Sequence, residues 1–347
     1  MAQPILTSNL MSLSEIVKRV DAQGKEIPVA NVLEKTNDFL PDVKFQEGNL
    51  INGDQFSVQT SKADVHWLHE NVGIPSSHST TALMTENCGK LGACSDIPSD
   101  LLEINAFDAG WRFREEKIIM ESIAEKATQH FFYGSKKANP ESFDGFGARY
   151  NSLSKGQNSK NVIDCGGRSS DGELTSIWLV GWGDMVHGLY PKGTKAGIQV
   201  NDEGVVWMDD GTGRNTQMKV NRTTYKWNLG LSVRDWRCVV RLANIPVQAL
   251  RDGRGIGSGD VKVDKNLLMI MTEALYKIPA NQRKGLRIYM NNDVFAGLNV
   301  IAQRSQSNVI KFMDASKEFG ENGSWTSFMG VPLRQVDELH NKEEEVK

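Results

Sequence analysis

The chain has 347 residues, 39% of them apolar, and a net charge of −3; its pI is about 6.1. That length accommodates one large or two ordinary domains, and the apolar share supports a core while leaving much polar or extended surface. The acidic balance argues against a dedicated DNA-binding module, and no run approaches the ~18 apolar residues of a membrane span.

The start, Met1-Ala2-Gln3-Pro4, has neither the basic nor the apolar region of a signal peptide. The chain is therefore expected to be made in a cytosol, with Cys88, Cys94, Cys165 and Cys238 reduced. In the first ~50 residues, Leu13, Ile16, Val17 and Val20 have helical spacing and Asp21-Ala22-Gln23-Gly24 ends the helix. A second short helix is expected from Val29 to Phe39. Two such pieces make no core and need another surface to lie on.

From Gly48 to Asp96 the chain is rich in Gly, Ser, Thr and Asn. Phe56-Ser57-Val58-Gln59-Thr60 alternates like a strand, and Asp64-Val65-His66-Trp67-Leu68 is its expected partner. A long two-stranded ribbon is barely stable alone in water. Asp108 to Tyr133 reads as the clearest helix, with a stripe of Trp111, Ile118, Ile119, Ile123, Ala127 and Phe131 and a stop at Gly134. At 1.5 Å per residue it would span roughly 37 Å.

Residues 174 to 245 read as strands. Ile177-Trp178-Leu179-Val180 is a short apolar run, and Tyr225, Trp227, Leu229, Leu231 and Val233 alternate with polar residues. Cys238-Val239-Val240-Arg241-Leu242 is a β-rich partner, followed by a loop over Arg251 to Gly259. Asp264 is expected to cap a helix ending before Pro279. Leu286 to Met290 is a strand, Asn291-Asn292-Asp293 caps a helix to about Ser305, and Gly330 to Val336 is a late strand. The charged end Lys342-Glu343-Glu344-Glu345 is expected to be solvated.

Chemistry-bearing motifs are thin. His66, His69, Cys88 and Cys94 are zinc-ligand types at unsuitable spacing. The glycines of 253–259 lack the Gly-Lys-Ser/Thr end of a phosphate loop and a βαβ frame. Cys165 and His187 could be drawn as thiol and base, but nothing in the sequence joins them. Trp178, Trp182, Trp207, Trp227 and Trp236 could form a stacking platform, though such residues more often fill a core or an interface. No catalytic, cofactor or metal set emerges.

An ordered series of segments carries a resemblance. It runs Phe131-Phe132-Tyr133-Gly134, Phe143-Asp144-Gly145-Phe146-Gly147-Ala148-Arg149-Tyr150, Asn161-Val162-Ile163-Asp164, Thr175 to Val180 and Tyr190-Pro191-Lys192-Gly193. It continues with Tyr225 to Leu231 and Asp235 to Ile245. In that order the chain resembles, over nearly its whole length, the major capsid proteins of short-tailed double-stranded DNA phages. The resemblance implies an α+β subunit of the Hong Kong 97 capsid fold. Residues 1–47 would be an N-terminal arm, 48–107 the extended E-loop with its flanks, and 108–140 the spine helix of the P-domain. Residues 141–347 would supply a β-rich axial A-domain and the remaining P-domain strands.

The resemblance further implies a virion subunit, assembled in the host bacterial cytoplasm into hexamers and pentamers of an icosahedral head. Its partners would be copies of itself, portal and scaffold proteins, decoration or cement proteins, and packaged double-stranded DNA held without sequence-specific binding. No cofactor and no membrane are implied. A shell filled by a motor needs no basic wall, so the acidic composition fits a container. Trp67 and Leu68 on the E-loop, and Arg112 and Arg114 on the spine helix, are the expected assembly residues. The rival readings are an encapsulin-like or decoration shell protein, and an enzyme with a β-rich substrate domain.

Overall fold

The computed structural model describes residues 37–71, 73–102, 109–209, 217–251, 267–304, 310–314 and 324–347. The helix expected at 13–20, most of the one expected from Val29, the glycine loop after Arg251 and the cap Asp264 lie outside them. The part of the second expected helix that falls in the described residues, 37–39, is not helical. Asn37 bridges Val336, and Leu40–Asp42 is a single 3-10 turn with Pro41 in its first positions, where a missing N–H costs little.

Two compact units divide the described chain. The first holds Lys90–Ala127 and Lys195–Asn228, the second Thr36–Gly89, Thr128–Thr194 and Leu229–Lys347. Three elements continue from one unit into the other: strand β3 (Thr80–Pro98), helix α1 (Ala109–Tyr133) and strand β8 (Gln217–Val233).

The second unit is built on a sheet covered on both faces. Its order is β11 (Ile310–Asp314), β12 (Ser324–Phe328), β13 (Val331–Gln335), β10 (Leu286–Met290), β5 (Leu174–Gly181), β9 (Val239–Pro246) and β4 (Val162–Asp164). The β10–β13 and β4–β9 pairs are parallel and the others antiparallel. Every residue of β5 and β9 is buried, which explains their near-continuous apolar sequence.

The period of two sorts the faces. Ile177, Leu179, Val240, Leu242, Leu286, Ile288 and Met290 join one cluster with residues of helices α2 (Val247–Arg251), α3 (Leu267–Lys277) and α4 (Asn292–Arg304). Asn291 begins α4 by accepting a 3.0 Å hydrogen bond from the Asp293 N–H, an N-cap of the expected kind. The intervening Trp178 and Tyr289 meet an aromatic layer instead. Phe132 lies 6.1 Å from each of them, and Phe39 lies 4.8 Å from Phe132 and 5.1 Å from Tyr289.

Two charge sites lock the sheet to segments distant in sequence. Asp42 accepts hydrogen bonds from Arg334 Nε at 2.9 Å, Arg287 Nε at 3.2 Å and the Tyr289 hydroxyl at 3.3 Å. Arg241, buried beneath Trp178 with its guanidinium 4.9 Å from the ring, donates to the Tyr150 carbonyl, to Ser176 and to Glu343. Glu343 also accepts from the Tyr133 hydroxyl at 2.6 Å and from Ser176.

The expectation of a solvated C-terminal end is therefore corrected. The Glu343 side chain is only 5% exposed, Val346 is buried, and Val346 N–H donates to Asn244 Oδ1 at 2.9 Å. A buried Arg241 needs a carboxylate, and the charged tail supplies it. Charge pattern alone reads such a run as exposed.

In the first unit, β7 (Gln199–Asp209) pairs antiparallel with β8 from Gln199↔Lys226 to Asp209↔Gln217. β3 is the strand on the other side of β8. Ile97, Ile123, Ala127, Val220, Tyr225 and Trp227 are buried, and Arg222 grips Asp96 through Nε at 2.7 Å and Nη2 at 2.9 Å. Helix α1 matches its expected span. Its stripe is narrower than the sequence implied, because Ile118 is exposed while Ile123 and Ala127 are buried. At its end Gly134 N–H donates to the His130 carbonyl at 2.8 Å. A Cβ on Gly134 would come within 2.4 Å of that oxygen, so the stop requires glycine.

Removing Glu343 leaves Arg241 buried without its counter-charge, a loss of about 3–5 kcal/mol. Glu343→Ala should lower the urea midpoint of the unassembled subunit accordingly, while Glu344→Ala should leave it unchanged. Equal midpoints for the two variants would show that the tail does not hold the core.

Candidate assembly surface

A second set of strands belongs to the extended hairpin. Within the second unit, β1 (Phe45–Glu47) pairs parallel with β6 (Val186–Tyr190), and β6 pairs antiparallel with the end of β8. β2 (Gly53–Ser61) pairs with β3 from Gly53↔Asn87 to Ser61↔Thr80. The partner of Phe56-Ser57-Val58-Gln59-Thr60 is thus Thr81 to Met84, and the expected pairing with Asp64 to Leu68 is corrected. The Thr80 hydroxyl, bonded to Thr60 Oγ1 at 2.7 Å and Ser61 Oγ at 2.8 Å, closes the ladder. The intervening 62–69 and 73–79 carry no strand.

The base of the hairpin is fixed by charge. Arg149 forks onto Glu86 at 2.5 and 2.7 Å, and Arg234 holds the buried Asp54 at 2.7 Å with its guanidinium 5.5 Å from the Phe56 ring. Bidentate pairs of this kind fix geometry as well as energy. Gly53 sits where the strands meet most closely, for a Cβ there would lie 1.9 Å from the Glu86 carbonyl oxygen.

The tip is the opposite. Trp67 is as exposed as in an extended peptide, Val65 is 92% and Ile74 80% exposed, and Leu68 is about half exposed. Leu83 and Met84 on β3 are also exposed. Large exposed apolar groups are thus concentrated on one extension, beyond a base fixed by ion pairs. The structure thus brings Trp67 and Leu68 together on the loop. Arg112 and Arg114 sit on the first turns of α1, and their side chains fall outside the described ones.

The other sequence candidates separate. Trp178 and Trp182 are core, Trp227 is buried in the first unit, and Trp207 is 60% exposed, so the tryptophans form no single platform. Cys165 follows β4 in the seven-stranded sheet and packs in its helix-side cluster. His187 lies on β6 in the other sheet, with its proton affinity lowered by burial and by Arg234. Burial drives the Cys165 thiol up beyond the usual thiol range, the reverse of what a nucleophile needs. Burial and Asp54 push Cys88 up to about 11. His66 and His69 are exposed loop residues, and no metal-holding group of His, Cys, Asp and Glu occurs among the described residues. No helix there is long and apolar enough to cross a membrane.

The family model of the major capsid protein GP7 matches residues 21–347. The chain belongs to that family. It is a phage major capsid protein, a component of the virion shell built from many copies. A capsid subunit in the near-atomic-resolution structure of bacteriophage epsilon15 shares its fold, with a TM-score of 0.75 over 99% of both chains at 24% identity. That fold is the Hong Kong 97 type. Two looser likenesses are the bacteriophage JBD30 capsid, with a TM-score of 0.42 at 7% identity over 90% of this chain and 95% of that one, and the capsid of a native GTA particle, with a TM-score of 0.43 at 10% identity over 62% and 92%. No curated protein matches the chain.

For this capsid subunit the exposed tip generates a direct expectation. Losing a tryptophan from a desolvated contact costs on the order of 2 kcal/mol or more. Trp67→Ala should give a soluble subunit with unchanged circular dichroism and a critical assembly concentration raised at least about tenfold. An unfolded variant, or one that assembles like the wild type, would contradict this role. The thiols give a second expectation. A disulfide reagent at neutral pH should label exposed Cys94 ahead of Cys165 and Cys238, which stay unreacted until unfolding; labelling of Cys165 before Cys94 would contradict the fold.

Proposed function

We propose that this subunit forms the hexamers and pentamers of an icosahedral head that encloses double-stranded DNA without reading its sequence. The observation that supports the reading is the hairpin tip, whose Val65, Trp67 and Ile74 are left exposed by the described residues. In a member of a major capsid family, other copies of the same chain are the natural cover. A contact worth little between two subunits becomes strong when each subunit makes several at once.

The parts have distinct tasks in this reading. Residues 1–47 act as an arm and 48–107 as the E-loop reaching a neighbour. Residues 108–140 form the spine of the P-domain, and 141–347 give the axial domain with the other P-domain strands. Arg112 and Arg114 meet an adjacent subunit. Portal, scaffold and decoration or cement proteins are the expected further partners, assembly takes place in the host bacterial cytoplasm, and no catalytic step is assigned. The buried, protonated thiols and the unpaired placement of Cys165 and His187 support that last point.

Sedimentation velocity with negative-stain electron microscopy of the purified protein tests the reading. Closed shells of uniform diameter, or capsomers of five and six copies, are the expected result. A chain that stays monomeric at every concentration, with or without its co-expressed phage proteins, would contradict it.

A further inference from the structure

The segment Asp64-Val65-His66-Trp67-Leu68 has the sequence of a strand. It contains β-favouring residues, with apolar Val65 and Trp67 two positions apart, on the same side of an extended chain. Among the described residues it has no ladder, because β2 pairs with Thr80 to Asn87 instead. A strand-patterned segment with unpaired backbone and exposed large apolar groups is half of an interface.

The other half lies in the first unit. β7 hydrogen-bonds to β8 along one side, and its outer edge pairs with no strand among the described residues. On that strand Val205 and Trp207, again two positions apart, are each 60% exposed. They share a face because they stand opposite Asn221 and Lys219. Lys219 caps the Trp207 ring with its ammonium 5.1 Å from the centroid.

We infer that residues 64–68 of one copy add as a strand to the outer edge of β7 in a second copy. The inference rests on the assembly reading above and names the surface that receives the hairpin tip. Strand addition satisfies the exposed backbone of both segments and sets two apolar pairs side by side. Either direction pairs the same apolar groups. A parallel register sets Val65 beside Val205 and Trp67 beside Trp207, and an antiparallel one sets Val65 beside Trp207 and Trp67 beside Val205.

The test uses the full chain in assembled shells. Val65→Cys is combined with Val205→Cys, which reads a parallel register, or with Trp207→Cys, which reads an antiparallel one, each in a Cys94→Ser background. A control combines Val65→Cys with Met269→Cys, an exposed position on α3. All are oxidised after assembly and run on non-reducing gels. The inference expects covalent oligomers from one of the two pairs and monomers from the control. Shells that form but yield no link from either pair, or a link to position 269, overturn it while leaving the assembly reading intact. Failure of the wild type to form shells overturns that reading itself. Hydrogen exchange on the wild type reads the same contact without any substitution. Amides of 64–68 and of 203–208 should slow together on assembly, and protection of one segment without the other contradicts the pairing.

Discussion

A two-stranded ribbon has two faces and no second layer, so whatever apolar side chains it carries at its far end stay wet until something else arrives. The hairpin of β2 and β3 meets that constraint by dividing its chemistry along its length. Near the body it is held by Asp54 with Arg234 and by Glu86 with Arg149, partners within one unit and at 2.5 to 2.7 Å. Beyond Ser61 the ladder stops, and Val65, Trp67 and Ile74 stand exposed. In the proposed assembly, folding fixes the base and association completes the tip, since large apolar groups dominate the energetics of contact.

The rest of the second unit supplies the stiffness that such an extension needs. Its central sheet is buried on both faces, by helices on one side and aromatic rings on the other. Distant segments are stitched to it by charge: Asp42 onto Arg287 and Arg334, and Glu343 onto Arg241. Each of these carboxylates lies far in sequence from its arginine, so each pair joins segments that propensity alone would leave loose. Buried pairs contribute uncertain net stability but strong specificity when every lone pair is used, and Glu343 accepts from Tyr133, Ser176 and Arg241 together.

Much of the fold was legible where a single period governs the chain. The alternation at Tyr225, Trp227 and Leu229 and the apolar run Ile177 to Val180 became strands; helix α1 and the Asn291 cap appeared in place. The resemblance carried by the ordered aromatic and glycine segments led to the right family. What misled were features that long-range partners decide. Asp64 to Leu68 has strand composition, yet Thr80 to Met84 took the ladder, because strand pattern specifies a tendency and not a partner. The acidic tail looked solvated because nothing local announces that Arg241 is waiting in the core. Trp207, grouped with its fellow tryptophans by sequence, lies exposed on β7.

A reconstruction of the assembled shell at side-chain resolution, obtained by electron cryomicroscopy, addresses the central claim most directly. The account predicts that the Trp67 ring lies in van der Waals contact with a neighbouring copy, with its hairpin base unchanged at Glu86 and Arg149. A Trp67 that faces solvent in the shell, or folds back onto its own subunit, would contradict it.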